Sequence, residues 1–229
     1  MACHTPDIYQ FETITEQKKF LRKRAKSFLK EYCADQALME QASLSALDAM
    51  VKSSIYQKAP YILSFMPLKD ELDLIPLMKL ALKDGKKLLL PRMYSPEMGP
   101  AKDEELNPNS NDMDFFFVDD LEVAFDSDNP FSIREPSLSA KKLLLSELPP
   151  SSLMFVPGLA FNLEGDRLGR GKGFYDRFIS RLAQSLPEEK MPLLCGVCFT
   201  ICVTKGIPVE EKDRKVDWLL TEYGLVQMV

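Results

Sequence analysis

The segment FVPGLAFNLEGDRLGRGKGFYDRFI, residues 155–179, constrains the fold more than any other part of the sequence. An apolar stretch leads into it, and an apolar helical stripe made by Phe174, Phe178, Leu182 and Leu186 leads out. Between them stand glycines and cations, which are Gly169, Gly171, Gly173, Arg167, Arg170 and Lys172. Glycines let backbone N–H groups come close to a ligand, and the N-terminus of the next helix favours negative charge. The segment therefore predicts a strand, a polyphosphate-binding loop and a helix.

The loop matches neither of the two common nucleotide-binding fingerprints. A P-loop requires G-x-x-x-x-G-K-[ST], but Asp166 stands at the position of the first glycine and Gly173 follows Lys172. A Rossmann turn requires G-x-G-x-x-G near the first strand, whereas this chain has G-x-G-x-G late in the sequence. A flexible, solvated basic loop is the alternative, but the order of strand, glycine loop and helix favours anion binding.

Helices and strands are predicted to alternate along the chain. Apolar periodicity predicts helices over residues 15–32, 35–57, 73–85, 141–145 and 174–186. Short apolar runs predict strands over residues 61–66, 86–93, 115–118, 121–125, 153–156, 193–199 and 216–220. Thr15 is the expected N-cap of the first helix, and the expected apolar stripe of the second is Leu44, Leu47, Val51 and Ile55.

This order of elements predicts one α/β domain over residues 1–229. It would have three αβα layers, with a central, mostly parallel sheet and helices on both faces. Residues 1–14 are expected to form a peripheral N-terminal extension. Residues 95–111 and 126–136 are expected to be surface loops.

Charge and histidine content exclude several classes of function. A net charge of -5 argues against nucleic acids and membrane surfaces as partners, since both attract basic proteins. The one histidine, His4, lies in the N-terminal extension. Its position excludes Ser-His-Asp and Cys-His catalysis and histidine-based zinc sites.

The cysteines and the N-terminal sequence favour the cytoplasm. The first residues lack the basic and apolar regions of a signal peptide, and no apolar run approaches the length of a membrane span. Five cysteines form an odd set, which argues against a disulfide framework. Cys195 and Cys198 lie in the β-rich run LLCGVCF without a second such pair, so they are expected to be buried structural thiols.

Several charged residues have roles that spacing alone leaves open. Asp176 falls in the first turn of the helix after the loop, where it serves equally as a helix-dipole partner or, beside phosphates, as a Mg²⁺ ligand. Glu71 follows a predicted strand, where α/β sheets contact ligands, and is equally an acid at a helix start. Lys18 and Arg22 lie one turn apart, but seven basic residues between positions 18 and 30 are more typical of a solvated helix face.

Motifs spread along the chain resemble the 5-formyltetrahydrofolate cyclo-ligase family, also called 5,10-methenyltetrahydrofolate synthetases. The most specific match is PGLAFNLEGDRLGRGKGFYD, residues 157–176, which is similar to that family's long glycine-rich signature. Supporting matches stand in family order and are KKFLR (18–22), ILSFMPLKDEL (62–72), LPR (90–92), SIREP (132–136) and IPVEEKDRKVDWLL (207–220). The resemblance covers residues 15 to 222, and its central motif is long enough to be diagnostic.

The resemblance implies an enzyme that converts 5-formyltetrahydrofolate to 5,10-methenyltetrahydrofolate, with ATP as co-substrate and Mg²⁺ as the metal. ATP would phosphorylate the formyl oxygen, N10 of the folate would attack the activated carbon, and ADP and phosphate would be released. No side-chain nucleophile is needed, which agrees with the scarcity of histidine. A small-molecule kinase that uses the same loop, and a non-catalytic folate- or nucleotide-binding relative, stay open as alternatives.

The resemblance also implies roles for single residues. The expected ATP contacts are Lys18, Arg22, Arg167, Leu168, Gly169, Arg170, Gly171, Lys172, Gly173, Phe174 and Tyr175. The expected catalytic residues are Arg170, Lys172 and Tyr175, and the expected Mg²⁺ ligands are Asp176 and Asp213. The expected folate contacts are Met66, Glu71, Arg170 and Phe174. A monomer is expected, with a homodimer left open.

Three positions depart from the family pattern. Phe174 stands where the family often has a tyrosine, so the ring is kept and a hydroxyl is lost. Met93 follows LPR where an aromatic residue is common, although Tyr94 is adjacent. Phe131 replaces a tryptophan ahead of the I-x-x-P segment. These changes are expected to tune folate affinity without altering phosphoryl transfer.

Overall fold

The fold is described by a computed structural model, which covers residues 11–94, 112–122, 125–126 and 133–228. The helices are α1 (Ile14–Tyr32), α2 (Gln36–Val51), α3 (Ser54–Lys58), α4 (Ile75–Lys83) and α5 (Phe174–Ser185). The strands are β1 (Tyr61–Leu63), β2 (Lys87–Tyr94), β3 (Asp112–Val118), β4 (Phe125–Asp126), β5 (Glu135–Pro136), β6 (Leu153–Pro157), β7 (Ala160–Phe161), β8 (Arg167–Leu168), β9 (Leu193–Val197), β10 (Trp218–Thr221) and β11 (Gly224–Gln227). His4, the predicted loop 95–111 and Phe131 lie outside the described residues.

A seven-stranded sheet forms the centre of the fold, in the order β11-β10-β9-β6-β1-β2-β3. The inner strands run parallel, and the two edge strands, β3 and β11, pair antiparallel with their neighbours. Strand β6 is a buried apolar run, as expected of a parallel strand that is covered on both faces. The prediction of an α/β fold with a central, mostly parallel sheet is therefore confirmed.

The chain connections put helices on both faces of this sheet. From β1 the chain passes through α4 to β2, and from the adjacent β6 it passes through α5 to β9 in the opposite direction along the sheet. Because such parallel crossovers are right-handed, α4 and α5 lie on opposite faces. The strand order thus reverses between β1 and β6, which is where open α/β sheets form a ligand crevice at the carboxyl ends of their strands.

A close aromatic contact fixes the start of the glycine-rich segment. The Phe161 side chain is fully buried, and a Cβ atom on Gly196 or Gly158 would lie 2.5 or 2.7 Å from carbon atoms of its ring. No side chain fits at such distances, so both glycines are required for the ring to pack. Strands β7 and β8 then form a short antiparallel hairpin that carries the chain into the loop.

Helix α1 starts at a different cap from the one predicted. Its N-cap is Thr13, whose hydroxyl accepts from the Glu16 backbone N–H at 3.2 Å, while the Glu16 carboxylate accepts from the Thr13 backbone N–H at 3.2 Å. This reciprocal capping box needs an acceptor three residues after the cap. The prediction of Thr15 was wrong because Lys18, which can only donate, stands at that position.

The predicted helix over residues 35–57 is two helices, α2 and α3. The Ser53 hydroxyl donates to the Met50 carbonyl and accepts from the Tyr56 backbone N–H, so it ends one helix and starts the next. Leu44 was also predicted wrongly as part of the buried stripe, because its side chain is 53% exposed. Helix α2 instead packs through residues that include Ala46, whose small side chain lets the helix approach its neighbours closely.

Two predictions on either side of β5 were wrong. Residues 141–145 do not form a helix, because Lys142 forms an antiparallel β-bridge with Phe116. The Leu143 backbone N–H also donates to the Phe115 carbonyl at 2.8 Å. That run pairs with β3, and a 3₁₀ turn begins only at Leu145. Of the predicted strand 121–125, residues 121–122 form a bend, and β4 begins at position 125. Short apolar runs such as KKLLL do not distinguish helix from strand.

Candidate active site

A cavity of about 500 Å³ opens in the crevice where the strand order reverses. Its wall comes from α1, from the segment after β1, from the β2–β3 pair, from the glycine-rich loop with the start of α5, and from the loop before β10. Every residue that the sequence predicted for the site lies in this wall, namely Lys18, Arg22, Met66, Glu71, Arg167, Leu168, Gly169, Arg170, Gly171, Lys172, Gly173, Phe174, Tyr175, Asp176 and Asp213. The fold thus brings together side chains from distant parts of the chain.

Two glycines give the loop a shape that other residues rarely adopt. Gly171 has a φ of 105° and Gly173 a φ of 71°, both in the left-handed region. Gly173 is the N-cap of α5, and no side chain caps the first backbone N–H groups of that helix. Arg22 on α1 supports the loop, because its Nε donates to the Gly169 carbonyl at 2.9 Å. The loop therefore offers an uncapped helix N-terminus to an anion in the cavity.

Lys18 is buried, which contradicts the expectation of a solvated helix face. Its Nζ lies 2.6 Å from Asp213 Oδ2 and 2.8 Å from Glu210 Oε2, and its side chain is 7% exposed. Asp213 also accepts from the Glu210 backbone N–H at 2.7 Å. The expectation was wrong for Lys18 and for the half-buried Arg22, because Lys18 faces the segment before β10 and Arg22 faces the glycine-rich loop. It holds for Lys19, Lys23, Lys26 and Lys30, which are exposed.

Arg167 joins the end of β6 to the start of α5. Its side chain is 5% exposed, its Nη2 lies 2.7 Å from the Asp176 carboxylate, and its Nη1 donates to the Pro157 carbonyl at 3.1 Å. Gly169 makes room for this guanidinium, since a Cβ atom there would lie 2.8 Å from Nη1. The guanidinium also lies 5.9 Å from the centre of the Tyr175 ring. Arg167 is therefore a fixed cation rather than a mobile loop residue.

Arg170 joins the glycine-rich loop to the segment after β1 through two carboxylates. Its Nη1 and Nη2 contact the two oxygens of Asp70 at 3.2 and 2.6 Å. Its Nε and Nη2 contact Glu71 Oε1 at 3.2 and 2.9 Å. Forked pairing of this kind fixes the plane of a guanidinium as well as its position. The sequence interpretation missed Asp70, for which the acidic pair after a predicted strand was the available signal.

Glu71 is a buried carboxyl with a perturbed titration. Its side chain is 9% exposed, and its second oxygen, Oε2, accepts from the Leu68 backbone N–H at 3.0 Å. Burial raises the pKa of the Glu71 carboxyl above its ordinary value, although the Arg170 guanidinium and the Leu68 N–H oppose the rise. Such a carboxyl is a strong hydrogen-bonding group for a ligand in the cavity.

The Tyr175 hydroxyl is buried and has no hydrogen-bond partner in the part of the chain that the structure describes. Burial is the main cause that raises the pKa of this phenol, and the charge of the nearby Glu71 carboxylate raises it further. The phenol therefore stays protonated. A buried hydroxyl without a partner costs about 1–3 kcal/mol. An acceptor atom that reached this hydroxyl would remove that cost.

One part of the wall is apolar and rich in methionine. Met66 follows β1, and Met93 stands opposite Met113 in the pairing of β2 with β3. Phe65 and Ile133 belong to the same wall. Thioether side chains adapt to irregular and aromatic surfaces. Met93, which stands where the family commonly has an aromatic residue, therefore still gives the cavity an apolar surface.

Two predicted contacts are turned mainly towards the protein interior. The Phe174 side chain is 8% exposed and packs into the main core, with the Arg177 guanidinium 5.9 Å from the centre of its ring. Leu168 is buried in a small second core with Leu21 and Ile207. These residues support the loop from within as well as lining the cavity.

Asp176 and Asp213, the predicted Mg²⁺ ligands, are each paired with a cation, Arg167 and Lys18 respectively. Among the described residues, no group of three or more histidine, cysteine, aspartate or glutamate side chains is arranged to hold a metal ion. Mg²⁺ needs fewer protein ligands, since it usually keeps waters and is bound by one or two carboxylates together with substrate phosphates. The carboxylate donors present therefore fit Mg²⁺ that arrives with a polyphosphate.

The prediction of buried structural thiols is confirmed. Cys195 and Cys198 are 0% and 5% exposed, and both are free thiols. Burial raises the pKa of both thiols, so they stay protonated and unreactive. They lie in and just after β9 and take no part in the cavity wall.

The fold and the cavity together define an α/β protein with a glycine-rich, cationic loop beside an apolar wall. The family model of the 5-formyltetrahydrofolate cyclo-ligase family matches residues 14–222. The chain therefore belongs to that family and is an enzyme of the ligase class. None of the helices within the described ranges is long and apolar enough to cross a membrane.

Relatives resemble the chain over most of its length. The 5-formyltetrahydrofolate cyclo-ligase of Mus musculus is 29% identical over 211 residues, which cover 92% of this chain and 96% of the relative. A relative in Arabidopsis thaliana, named as a mitochondrial 5-formyltetrahydrofolate cyclo-ligase, is 25% identical over 237 residues, covering 99% of this chain and 81% of its own. The NMR structure of Aquifex aeolicus 5,10-methenyltetrahydrofolate synthetase is 27% identical, with a TM-score of 0.66 and 92% of each chain covered.

Proposed function

We propose that this enzyme cyclises 5-formyltetrahydrofolate to 5,10-methenyltetrahydrofolate, with ATP as co-substrate and Mg²⁺ as the metal. ATP phosphorylates the N5-formyl oxygen, which turns a poor leaving group into a phosphate. N10 of the folate attacks the activated carbon, the ring closes, and phosphate and ADP leave. The protein has to position two substrates and stabilise charge on the transferring phosphoryl group.

The contact between Arg170 and Glu71 carries this proposal. Arg170 belongs to the glycine-rich loop, which favours phosphates, and Glu71 belongs to the segment that also supplies Met66. Since Arg170 Nη2 and Glu71 Oε1 are 2.9 Å apart, a phosphoryl group on the loop and a formyl group beside Glu71 meet at this guanidinium. A fixed cation at that point is what a transferring phosphoryl group requires.

The phosphates of ATP are proposed to exchange partners with carboxylates of the site. Lys18, Arg167 and Arg170 pair with Asp213, Asp176 and Asp70 respectively, and phosphate oxygens would take the place of those three carboxylates. The released Asp176 and Asp213 would then hold Mg²⁺, which neutralises charge on the phosphates when it is bound. The proposed ATP contacts are completed by Arg22, Leu168, Gly169, Gly171, Lys172, Gly173, Phe174 and Tyr175.

The folate is proposed to bind against the apolar wall. Met66 would pack on the pterin, Glu71 would hydrogen-bond its polar edge, and Phe174 would border the same region. Tyr175 and Lys172 would act with Arg170 on the reacting groups, Tyr175 through its buried hydroxyl, which has no described partner. These roles need no nucleophilic side chain, so the enzyme works by positioning and charge stabilisation.

A small-molecule kinase would use the same loop without the folate wall. Thermal unfolding separates the two functions, because a cyclo-ligase should be stabilised by MgATP and by 5-formyltetrahydrofolate, each added alone. Stabilisation by MgATP but by no reduced folate would favour the kinase. Binding of both ligands without turnover would favour a non-catalytic relative.

The cellular compartment and the oligomeric state of the enzyme are also part of the proposal. We propose a cytoplasmic monomer whose residues 1–229 form one domain. The free and buried thiols Cys195 and Cys198 support a reducing compartment. Light scattering after size exclusion tests the monomer against a homodimer. Fluorescent tagging of the full chain tests the cytoplasm against the mitochondrion.

A further inference from the structure

Arg134 is an exposed cation in the apolar part of the cavity wall. It follows Ile133 and precedes β5, whose residue Glu135 accepts from the Met93 backbone N–H at 2.9 Å. Met93 in turn stands opposite Met113 on β3. Arg134 therefore belongs to the methionine-rich stretch of wall that is built on β2, β3 and β5.

Two contacts hold the Arg134 guanidinium and leave most of its donors unused. Its Nη2 donates to the Leu121 carbonyl at 2.8 Å, and the group lies 4.6 Å from the centre of the Phe125 ring. A guanidinium carries five N–H donors. No ion pair within the described residues involves Arg134, whereas Lys18 and Arg170 in the same cavity wall both have carboxylate partners.

A folate carries an anionic group that could pair with the Arg134 guanidinium. A benzoyl spacer separates the pterin ring from a glutamate, whose carboxylates are ionised at neutral pH. With the pterin near Glu71, the spacer would lie along the apolar wall and the glutamate would extend towards the exposed Arg134. A fixed and exposed guanidinium matches a carboxylate there in charge and in planar geometry.

Resting on the proposed function, we infer that Arg134 binds a carboxylate of the glutamate of the folate and makes the enzyme prefer glutamate-bearing substrates. The residue acts on the affinity for the folate and stands apart from the phosphoryl transfer at Arg170. Its loss should therefore raise the KM for the folate and leave kcat unchanged.

The test compares 5-formyltetrahydrofolate with its glutamate diamide, in which both carboxylates are replaced by neutral amides. The parent enzyme should show a KM for the diamide about tenfold above that for the folate. In Arg134→Gln the KM for the folate should rise about tenfold and the KM for the diamide should change less than about twofold. Arg134→Lys should keep part of the preference, because it keeps the charge without the fork.

Lys141→Gln is the matched control. Lys141 is also an exposed cation over an aromatic ring, 5.2 Å from the centre of Phe117, but it is not part of the cavity wall. It should keep the full preference for the folate. The inference is overturned if Arg134→Gln keeps that preference, or if it raises the KM for both compounds alike, as damage to the fold would.

Direct binding separates this inference from the proposed function. If the parent turns over neither compound, the proposed function fails, and calorimetric Kd values for the two compounds then test Arg134. A preference for the folate that is lost in Arg134→Gln supports the inference. Equal binding of folate and diamide by the parent, or binding of neither, overturns it.

Discussion

Replacing Glu135 by glutamine should make the stability of the protein less dependent on pH. The Glu135 side chain is 1% exposed, its Oε1 accepts from the Met93 N–H, and its buried Oε2 has no partner in the described part of the chain. Burial raises the pKa of this carboxyl from 4.5 to about 7. The Met93 N–H and Arg92 oppose the rise, and Asp126 adds to it.

The sign and size of the effect follow from that pKa. Because the folded pKa lies above the unfolded one, the contribution to stability is present below pH 4.5 and is lost as the pH rises through about 7. A rise of about 2.5 units corresponds to about 3.4 kcal/mol in total. About 2.5 kcal/mol of that falls between about pH 5 and about pH 8. Glutamine cannot ionise, and its amide oxygen can still accept from the Met93 N–H.

Urea unfolding at those two pH values measures the effect in the parent, in Glu135→Gln and in Glu147→Gln. Glu147 is a carboxylate with a 42% exposed side chain, so its variant controls for the loss of one negative charge. Burial also raises the pKa of Asp217, but that group is common to all three proteins and cancels in the comparison. Glu135→Gln should gain about 2.5 kcal/mol relative to the parent on going from the acidic to the basic buffer, and the control less than about 0.5 kcal/mol. Equal pH dependence in all three proteins would refute the reasoning.

Three further substitutions, the first with a matched control, test the fold and the cavity. Gly196→Ala should destabilise by about 1–3 kcal/mol because its Cβ would lie 2.5 Å from the buried Phe161 ring, whereas Gly206→Ala, with no atom within 4 Å, should stay within about 0.5 kcal/mol. Equal urea midpoints for these two variants would contradict the packing argument. Tyr175→Phe should leave the unfolding free energy unchanged or raised by up to about 1 kcal/mol, because its hydroxyl has no described partner, yet lower kcat/KM at least about tenfold. Full activity of that variant would show that no ligand uses the hydroxyl. Lys18→Met should raise the KM for MgATP at least about tenfold, and an unchanged KM would count against Lys18 as a phosphate contact.

The order of the main elements could be predicted from the sequence because long periodic segments carry a strong signal. The strand, glycine loop and helix around positions 153–185 lie close to their predicted bounds. The short pieces could not be predicted, since their structure depends on distant partners. Residues 141–145 pair with β3, and the Phe161 ring of the β7–β8 hairpin packs between Gly158 and Gly196. Neither contact leaves a local pattern.

The composition of the site was predictable, but the pairing of its charges was not. The glycine-rich loop identifies its own cations by their position in a long motif. Lys18 was expected to be solvated because its helix is basic, yet it is buried against Asp213, 195 positions away. Asp70 was missed because its partner, Arg170, is 100 positions away. Long-range ion pairs of this kind are set by topology, which brings α1, β1 and the loop after β6 to one crevice.

The most direct test follows the formation of methenyl-folate by its absorbance, together with the release of ADP, in the parent, in Arg170→Ala and in Lys79→Ala. Lys79 has a 58% exposed side chain and lies outside the cavity wall, so its variant should match the parent. The parent should form product only when 5-formyltetrahydrofolate, ATP and Mg²⁺ are all present, with one ADP released per turnover. Arg170→Ala should lose about 2–4 kcal/mol of transition-state stabilisation, which is a fall in kcat of about 30-fold to 1,000-fold. Folded parent protein that makes no product, or an Arg170→Ala variant within about threefold of the parent kcat, would contradict the account.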